Sequence, residues 1–162
     1  MSSLTRENQI DAPGDKVWTI LADIGSVQDY SPGVVKSFYT SDITEGVGTS
    51  RHCDLLPRGT VEERIVNWLD GESYSIEIYD GTDLRYTGIA HFSLKSLGQG
   101  TIVSESMEYV PTEDPKGALE IRSMEDLVGK VIEGNLAGLK HFIETGEIVT
   151  REVCKRMEAL HK

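Results

Sequence analysis

Glu105 is the residue in this chain whose position most clearly calls for a chemical explanation. Val103, Met107 and Tyr109 lie at alternate positions around it, and alternate residues of a β-strand point to the same face of a sheet. A carboxyl group between apolar neighbours must be paired, hydrogen-bonded or neutral, because an isolated buried charge is too costly. Two alternatives stay open: Glu105 points inward as a functional group, or the strand has the opposite phase and Glu105 is solvated.

Glu63 is a further charged residue that the same reasoning places inside the fold, and Lys36 would join it if its side chain also points inward. Glu63 lies two residues after Val61 and shares its strand face, whereas Trp68 lies on the opposite face. Together with Glu105 they place two acids and one lysine around shared water, an arrangement that can bind the polar head group of a ligand. The alternative for Lys36 is a solvated lysine at a strand edge. Glu63 and Glu105 are also candidates for a catalytic general base whose pKa is raised by burial.

The remaining chemistry-bearing residues do not form a recognisable catalytic or metal site. His52 and Cys53 are adjacent, but a third ligand at metal spacing is missing. The other histidines are scattered, so no Ser-His-Asp or Cys-His arrangement is indicated. We therefore expect no metal and no cofactor.

The composition argues against several classes of function. Of the 162 residues, 16 are basic and 27 are acidic, which gives a formal net charge of -11. Binding to nucleic acid or to an anionic membrane surface depends on positive charge, so neither partner is expected. No apolar run reaches about 18 residues, which predicts no membrane insertion. Cys53 and Cys154 are far apart in the sequence, which favours a reduced, cytoplasmic protein over a disulfide framework.

Turn residues divide the first two thirds of the chain into short elements. A weakly alternating edge strand, Leu4–Ile10, comes first. A helical pattern follows over Val17–Ile24, with Asp11 as its expected N-cap, and a second short helical piece lies at Val27–Tyr30. Six strand-like runs then occur without room for crossover connections, which favours an antiparallel meander. These runs are Val34–Thr40, Thr49–Leu56, Thr60–Leu69, Tyr74–Tyr79, Leu84–Leu94 and Thr101–Val110.

The last third of the chain is helical in pattern. A broad apolar stripe from Met124 to Ile143 predicts one long helix. Ser123 or Asp114 is expected to cap its start, and Gly146 is expected to end it. A shorter amphipathic stripe between Val149 and Leu160 predicts a C-terminal helix of the kind that docks on its own domain or forms a dimer.

This order of elements predicts an α+β fold. A strongly curved antiparallel sheet of about seven strands would carry two short helices after its first strand, with the long C-terminal helix laid over a cavity. We assign residues 1–146 to a single ligand-binding domain and 147–162 to an amphipathic helical extension through which a homodimer could form.

The long helix carries both a polar residue and several glycines on the way across this cavity. Leu127, Val131 and Asn135 lie at positions i, i+4 and i+8, so they form one stripe that would face the cavity. Three glycines also lie inside the helix, at Gly129, Gly134 and Gly138. Each costs roughly 1 kcal/mol relative to alanine, and a close approach to the sheet or room for a ligand would offset that cost. The alternative is a helix that tolerates glycine because its partner surface is large.

Several short motifs occur in a consistent order and spacing along the chain. They are Ala12-Pro13-x-x-x-Val17-Trp18, Tyr30 with Pro32, Gly46-Val-Gly-Thr-Ser-Arg51, Glu63-Arg64-Ile65, Gly100-Thr101 and Asn135-Leu-x-x-Leu139. Together they resemble the helix-grip superfamily, also called START-like or SRPBCC, which includes polyketide cyclase-like proteins. The resemblance implies a cavity for a small molecule or a lipid, and a minority of members are enzymes such as aromatase/cyclases.

Part of the pattern resembles the plant abscisic-acid receptors within that superfamily. The matching segments are Val34-Val35-Lys36-Ser37, Leu56–Arg64, Glu105-Ser106 and Asn135. The resemblance implies that Lys36 grips a ligand carboxylate and that Glu63, Tyr86, Glu105 and Asn135 line the cavity with it. The gate segment lacks Ser-Gly before Leu-Pro, and the His-Arg-Leu latch is missing, so hormone identity and phosphatase regulation do not carry over.

We therefore predict that the protein binds a small hydrophobic or amphipathic ligand, such as a lipid, a polyketide or an aromatic acid, in an internal cavity. Two alternatives remain: a polyketide cyclase/dehydratase-type enzyme that uses a cavity carboxylate, and a co-chaperone-like interaction module. The predicted ligand-binding residues are Lys36, Arg51, Val61, Glu63, Tyr74, Ile76, Tyr86, Phe92, Glu105, Met107, Leu127, Val131 and Asn135.

Overall fold

The computed structural model describes residues 1–112 and 118–160. It consists of one open antiparallel sheet with helices packed around it. The strands are β1 (Ser2–Ile10), β2 (Val34–Tyr39), β3 (Ser50–Leu55), β4 (Thr60–Leu69), β5 (Ser73–Thr82), β6 (Tyr86–Leu97) and β7 (Gly100–Pro111). The helices are α1 (Gly14–Leu21), a 3₁₀ helix at Ile24–Asp29, α2 (Ala118–Thr145) and α3 (Arg151–Leu160).

The order of strands across the sheet is β1-β7-β6-β5-β4-β3-β2. From β2 to β7 each strand pairs with the next one along the chain, as expected of a meander. β1 pairs with β7 along its whole length, from Ser2 opposite Tyr109 to Ile10 opposite Thr101. The sheet therefore stays open with β1 and β2 at its edges, which confirms the predicted α+β architecture.

α1 packs its apolar side into the core, and its N-cap lies two residues later in the chain than predicted. Val17 and Leu21 are buried, as their helical spacing predicts. The N-cap residue is Pro13, so the prediction that Asp11 caps the helix is wrong. Pro13 has a φ of -69°, which its ring imposes in any case. The backbone N–H of Asp11 instead donates to Glu144 of α2 at 2.8 Å and ties the start of α1 to the end of α2.

α2 packs on β1 and β7 through its apolar stripe. The buried residues of this stripe are Val128, Ile132, Leu136, Leu139 and Ile143. The helix ends where predicted, because Gly146 has a φ of +78° and its N–H donates to the carbonyl of Phe142 at 2.8 Å. Ser123 lies inside the helix and is not its cap, and Asp114 lies outside the described residues. Within the part that is described, neither α2 nor any other helix is long and apolar enough to cross a membrane.

The segment after α2 packs on its own chain. Val149 and Val153 are buried, and the backbone N–H of Val149 donates to the carbonyl of Asp29 at 2.9 Å. Part of the apolar stripe that predicts a docked or dimer-forming helix is therefore already in use within the chain. A homodimer through 147–162 stays a prediction, to be tested by sedimentation at several protein concentrations.

Candidate ligand-binding site

The inner face of β7 carries a buried carboxyl group. The alternate residues Thr101, Val103, Glu105, Met107 and Tyr109 are all buried, and only 3% of Glu105 is exposed. This burial confirms the inward alternative for Glu105. The arrangement then requires that the carboxyl be neutral or hydrogen-bonded.

Asn135 of α2 is a hydrogen-bond partner of Glu105. Its Nδ2 donates to Oε1 of Glu105 at 3.4 Å and to Oε2 at 3.3 Å. On the other side of the amide, Oδ1 accepts a 2.6 Å hydrogen bond from the hydroxyl of Ser31, which fixes the orientation of the amide. A row of polar groups therefore runs from the turn after the 3₁₀ helix, across α2, to β7.

Two glycines allow α2 to approach this turn closely. A Cβ atom at Gly138 would lie 1.9 Å from the carbonyl oxygen of Tyr30, and one at Gly134 would lie 3.6 Å from Cγ of Pro32. The predicted cost of glycine is therefore offset by close packing against the turn rather than against the sheet. Asn135 lies between the two glycines, so the same close approach brings its amide to the turn.

The Glu105 carboxyl is largely protonated at neutral pH. Burial raises its pKa to about 8, although the Asn135 hydrogen bond and the charge of Arg51 act in the opposite direction, and the charge of Glu63 adds to the rise. A protonated carboxyl has an O–H donor beside its acceptor sites. Glu105 can therefore both donate and accept hydrogen bonds in this interior, and its pKa lies where a general acid or base is effective.

Arg51 and Glu63 form an ion pair directly across the β3–β4 ladder. Nε and Nη2 of Arg51 each lie 3.0 Å from Oε1 of Glu63, and Nη1 donates to the carbonyl of Ile24 at 3.0 Å. Arg51 is only 6% exposed. Each of its guanidinium nitrogens has a partner within the protein, so its charge is balanced and its donors are engaged.

Three tyrosines near these groups keep their hydroxyls protonated. Burial raises the pKa of Tyr30 and of Tyr74 well above the ordinary value, and it raises the pKa of Tyr86 to about 12. The hydroxyl of Tyr74 donates to the carbonyl of Leu21 at 3.1 Å. Tyr30 and Tyr86 lie close enough to Glu105 for its charge to affect their pKa values. The site thus combines neutral hydroxyl groups with the buried carboxyl.

Four aromatic rings pack together beside the polar groups. The ring centroids are 5.2 Å apart for Trp18 and Trp68, 5.9 Å for Trp68 and Tyr74, and 5.0 Å for Tyr74 and Phe92. The prediction that Trp68 lies on the outer face is wrong. A bulge in β4 after Ile65 shifts the alternation by one residue and turns Trp68 inward.

Most of the predicted ligand-binding residues lie on the inner side of β3 to β7 or on α2. Those that are buried are Arg51, Val61, Tyr74, Ile76, Glu105 and Met107. Those that are half-buried are Glu63, Tyr86, Phe92, Leu127 and Asn135. Their shared location is what the strand alternation predicts, and their contact with a ligand stays a prediction.

Lys36 lies on the outer face, so the prediction that it points into the interior is wrong. A bulge between Val34 and Lys36 in β2 changes the alternation at this point. Nζ of Lys36 lies 5.7 Å from the ring centroid of Phe38, and that ring stacks on His52 with centroids 4.9 Å apart. The ligand-gripping role of the plant receptors' lysine therefore does not carry over to this residue.

Val131 lies at the margin of the buried face of α2 and not within it. It is 41% exposed, whereas Val128 and Ile132 on either side of it are buried. Val128 and Ile132 lie on the side of α2 that packs on β1 and β7. The buried face is consequently rotated from the predicted stripe, and Leu127 is only half-buried.

Tyr30 and Ser31 belong to this group, although neither is among the predicted ligand-binding residues. Ser31 holds the amide of Asn135, and Tyr30 is buried near Glu105. The sequence signal that could have found them is Gly138, because a glycine inside a helix indicates close approach of another segment. The partner segment lies 104 residues earlier in the chain, so the pairing itself has no local pattern.

His52 makes its contacts on the outer face of the sheet. Its ring nitrogens bond to Glu62 and to Asp54, which lie on β4 and β3. Among the side chains of residues 1–112 and 122–160, no group of His, Cys, Asp and Glu is arranged to hold a metal ion.

Solved structures of known proteins share this fold. A START superfamily protein from Mycobacterium smegmatis superposes with a TM-score of 0.75 at 12% identity, covering 88% of this chain and 97% of its own. The Zhui aromatase/cyclase from a Streptomyces strain gives 0.74 at 17% identity, covering 88% and 93%. A protein from Thermus thermophilus gives 0.76 at 19% identity, covering 90% and 99%. At such identities the likeness concerns the fold, which is that of a START-like, helix-grip protein.

The sequence assigns the chain more narrowly within this class. Residues 1–144 match the family described as polyketide cyclase / dehydrase and lipid transport. The chain belongs to this family and has its polyketide cyclase/START-like ligand-binding fold, as the sequence motifs predict. None of the curated proteins compared with the chain matches it significantly.

Proposed function

We propose that the protein binds a small hydrophobic or amphipathic molecule between the sheet and α2, with the polar end of the molecule at Glu105. One observation carries the proposal: a carboxyl group with 3% exposure lies between the buried apolar residues Val103 and Met107 and receives two long hydrogen bonds from Asn135. The description of the family, which includes lipid transport, supports the same role.

The distribution of polar and apolar groups also supports this role. Ligand sites combine a mainly apolar lining with a few polar groups that converge on one place. Ile76, Phe92 and Met107 provide apolar surface, and Glu105 with Asn135 provides the polar group. The two hydrogen bonds are longer than the usual ~2.9 Å, so the carboxyl keeps bonding capacity for a ligand.

Two measurements test the proposal. Native mass spectrometry of the protein as purified is expected to detect a bound small molecule. Thermal denaturation with a panel of fatty alcohols, sterols, aromatic polyketides and aromatic acids is expected to raise Tm for at least one compound, because a ligand of the folded state stabilises it. If no compound co-purifies and none raises Tm, the proposal is wrong.

A second candidate function is acid–base catalysis by Glu105 in a cyclase or dehydratase reaction. The observation that favours it is the pKa of about 8, since a group with a pKa near the working pH is an effective proton donor and acceptor. In a dehydration, the carboxylate form of Glu105 would remove the proton from the substrate carbon and then give that proton to the leaving hydroxyl, which departs as water as the C=C bond forms and the carboxylate is regenerated.

The variant Glu105→Gln separates the two functions. It keeps the size and hydrogen bonding of the side chain but cannot exchange a proton at neutral pH. Catalysis predicts that the variant binds a poly-β-ketone substrate and loses its turnover. Equal turnover in the variant and in the natural protein would remove Glu105 from the chemistry and leave binding as the function.

A further inference from the structure

The buried positive charge of this protein is already balanced. Among the Lys and Arg side chains of residues 1–112 and 122–160, only that of Arg51 is buried. Its guanidinium bonds to Glu63 and to the carbonyl of Ile24, each at 3.0 Å. An anionic ligand would have to displace Glu63, and a buried ion deprived of its partner is strongly unfavourable. Arg51 is therefore not available as a counter-ion for a ligand.

Other cations on the neighbouring elements do not reach the interior. Arg6 lies opposite Glu105 in the β1–β7 ladder, but its side chain is exposed, and its Nε donates to Oε1 of Glu133 on α2 at 3.4 Å. Lys36 is exposed on the outer face, over the ring of Phe38. Lys140 is half-buried, and its ammonium group donates to the carbonyl of Gln9 at 2.7 Å and to Glu144 at 2.8 Å. Both lysines make their contacts near the surface, away from the polar groups between the sheet and α2.

The net charge of the ionisable groups buried between the sheet and α2 is zero or negative. The charges of Arg51 and Glu63 cancel, and Glu105 is either neutral or negative. A ligand carboxylate at Glu105 would be buried without a counter-charge, which is very costly. A hydroxyl or carbonyl oxygen avoids this cost, because it can accept a hydrogen bond from the Glu105 O–H or from the Asn135 amide.

We infer that the protein selects ligands whose head group is uncharged and forms hydrogen bonds, such as an alcohol, a phenol or a ketone, over ligands that carry a carboxylate. The inference rests on the proposed function and specifies its ligand class. It also replaces the expectation, drawn from the resemblance to the plant receptors, that a lysine grips a carboxylate.

Matched ligand pairs test this selection in the natural protein. Isothermal titration calorimetry at neutral pH would compare naphthalenemethanol with naphthoate and decanol with decanoate. We expect the alcohol of a binding pair to bind at least about tenfold more tightly than its carboxylate. A carboxylate that binds as tightly as its alcohol overturns the inference and leaves the proposed function standing. If no member of either pair binds and the wider panel also fails, the proposed function falls, and the inference falls with it.

A charge change inside the site tests the cause of the selection. Glu63→Gln removes the partner of Arg51, so the interior gains a positive charge. We expect the affinity for naphthoate to rise about tenfold, while the affinity for naphthalenemethanol changes little. Glu62→Gln makes the same charge change on the outer face of the same strand and is expected to alter neither affinity. If the Glu63→Gln protein folds and its affinity for naphthoate is unchanged, pairing with Glu63 is not what prevents Arg51 from binding a carboxylate.

Discussion

The side-chain amide of Asn135 spans both carboxyl oxygens of Glu105, at 3.3 and 3.4 Å. It connects the middle of α2 to the inner face of β7, and Ser31 holds the amide from the other side. Because these bonds are long, they stabilise the carboxylate only weakly against the effect of burial. The carboxyl therefore stays protonated at neutral pH and retains capacity for a further partner.

Glu105 should make the stability of the protein depend on pH. Its pKa is raised from 4.5 to about 8 in the folded state. Between these values the unfolded chain has lost the proton that the folded chain keeps, so the unfolded state binds fewer protons and stability falls as pH rises. The stability contribution is fully present below about pH 4.5 and is lost through about pH 8, with a total on the order of 5 kcal/mol.

Denaturant titrations of Glu105→Gln and the natural protein test this dependence between about pH 4.5 and 8. The variant cannot titrate there, so its unfolding free energy should increase relative to that of the natural protein as pH rises. Glu108→Gln, on the outer face of the same strand, is the control and should show a smaller change. A difference between Glu105→Gln and the natural protein that is constant across this range would contradict the prediction.

Replacement of Lys36 should leave ligand binding unchanged. Its side chain lies on the outer face of β2, over Phe38, so neither alcohol nor carboxylate ligands are expected to contact it. For Lys36→Ala, calorimetric affinities for naphthalenemethanol and naphthoate should stay within about twofold of the natural values. A selective loss of naphthoate affinity would instead place Lys36 at the site.

The contrast between Glu105 and Lys36 explains how far the sequence alone predicts the site. The inward position of Glu105 was predicted from the two-residue period of a strand, and that of Lys36 from the resemblance to the plant receptors. β7 pairs with β1 and β6 without a register shift, so the period holds and Glu105 is buried. β2 has a bulge beside Lys36, and one extra residue moves every following side chain to the other face. The pattern of residue types carries no clear mark of that bulge.

The contact between Ser31 and Asn135 shows a second limit. Composition and periodicity predict each local element, namely the short helices, the meander and the long helix. They do not specify where α2 crosses the turn after the 3₁₀ helix, because that depends on the packing of the whole sheet. A glycine inside the helix, Gly138, does predict that another segment approaches α2 closely, but it does not identify that segment.

The Arg51–Glu63 pair should be strongly coupled. Replacing one member leaves a buried charge or donor without its partner, which typically costs about 3–5 kcal/mol. Arg51→Met, Glu63→Leu and the double variant form a cycle, and the double variant should lose less stability than the sum of the single losses. The unfolding free energies are measured by denaturant titration.

An exposed pair on the neighbouring strands provides the control for this cycle. Nε of Arg64 and Oε1 of Glu77 are 2.6 Å apart, and the two side chains are 51% and 26% exposed. Water screens such pairs, so the corresponding cycle should give a coupling energy below about 1 kcal/mol. Equal coupling energies in the two cycles would mean that burial does not strengthen the Arg51–Glu63 pair.

The two glycines of α2 that face the turn should respond to alanine in opposite directions. Alanine is favoured over glycine in a helix by roughly 1 kcal/mol. At Gly134 the added methyl group lies 3.6 Å from Pro32, an ordinary contact, so Gly134→Ala should be neutral or stabilising. At Gly138 the methyl would lie 1.9 Å from the Tyr30 carbonyl oxygen, and a backbone atom cannot move aside as a side chain can. Gly138→Ala should therefore lower the unfolding free energy by at least about 1–3 kcal/mol.

Ligand affinity gives a second measure of the same change. A shift of α2 away from the turn would separate Asn135 from Ser31 and loosen the amide that contacts Glu105. Gly138→Ala is therefore expected to weaken the binding of naphthalenemethanol as well as the fold, whereas Gly134→Ala should leave the affinity near its natural value. If both variants have the stability and affinity of the natural protein, close approach of α2 to the turn is not what requires glycine at these positions.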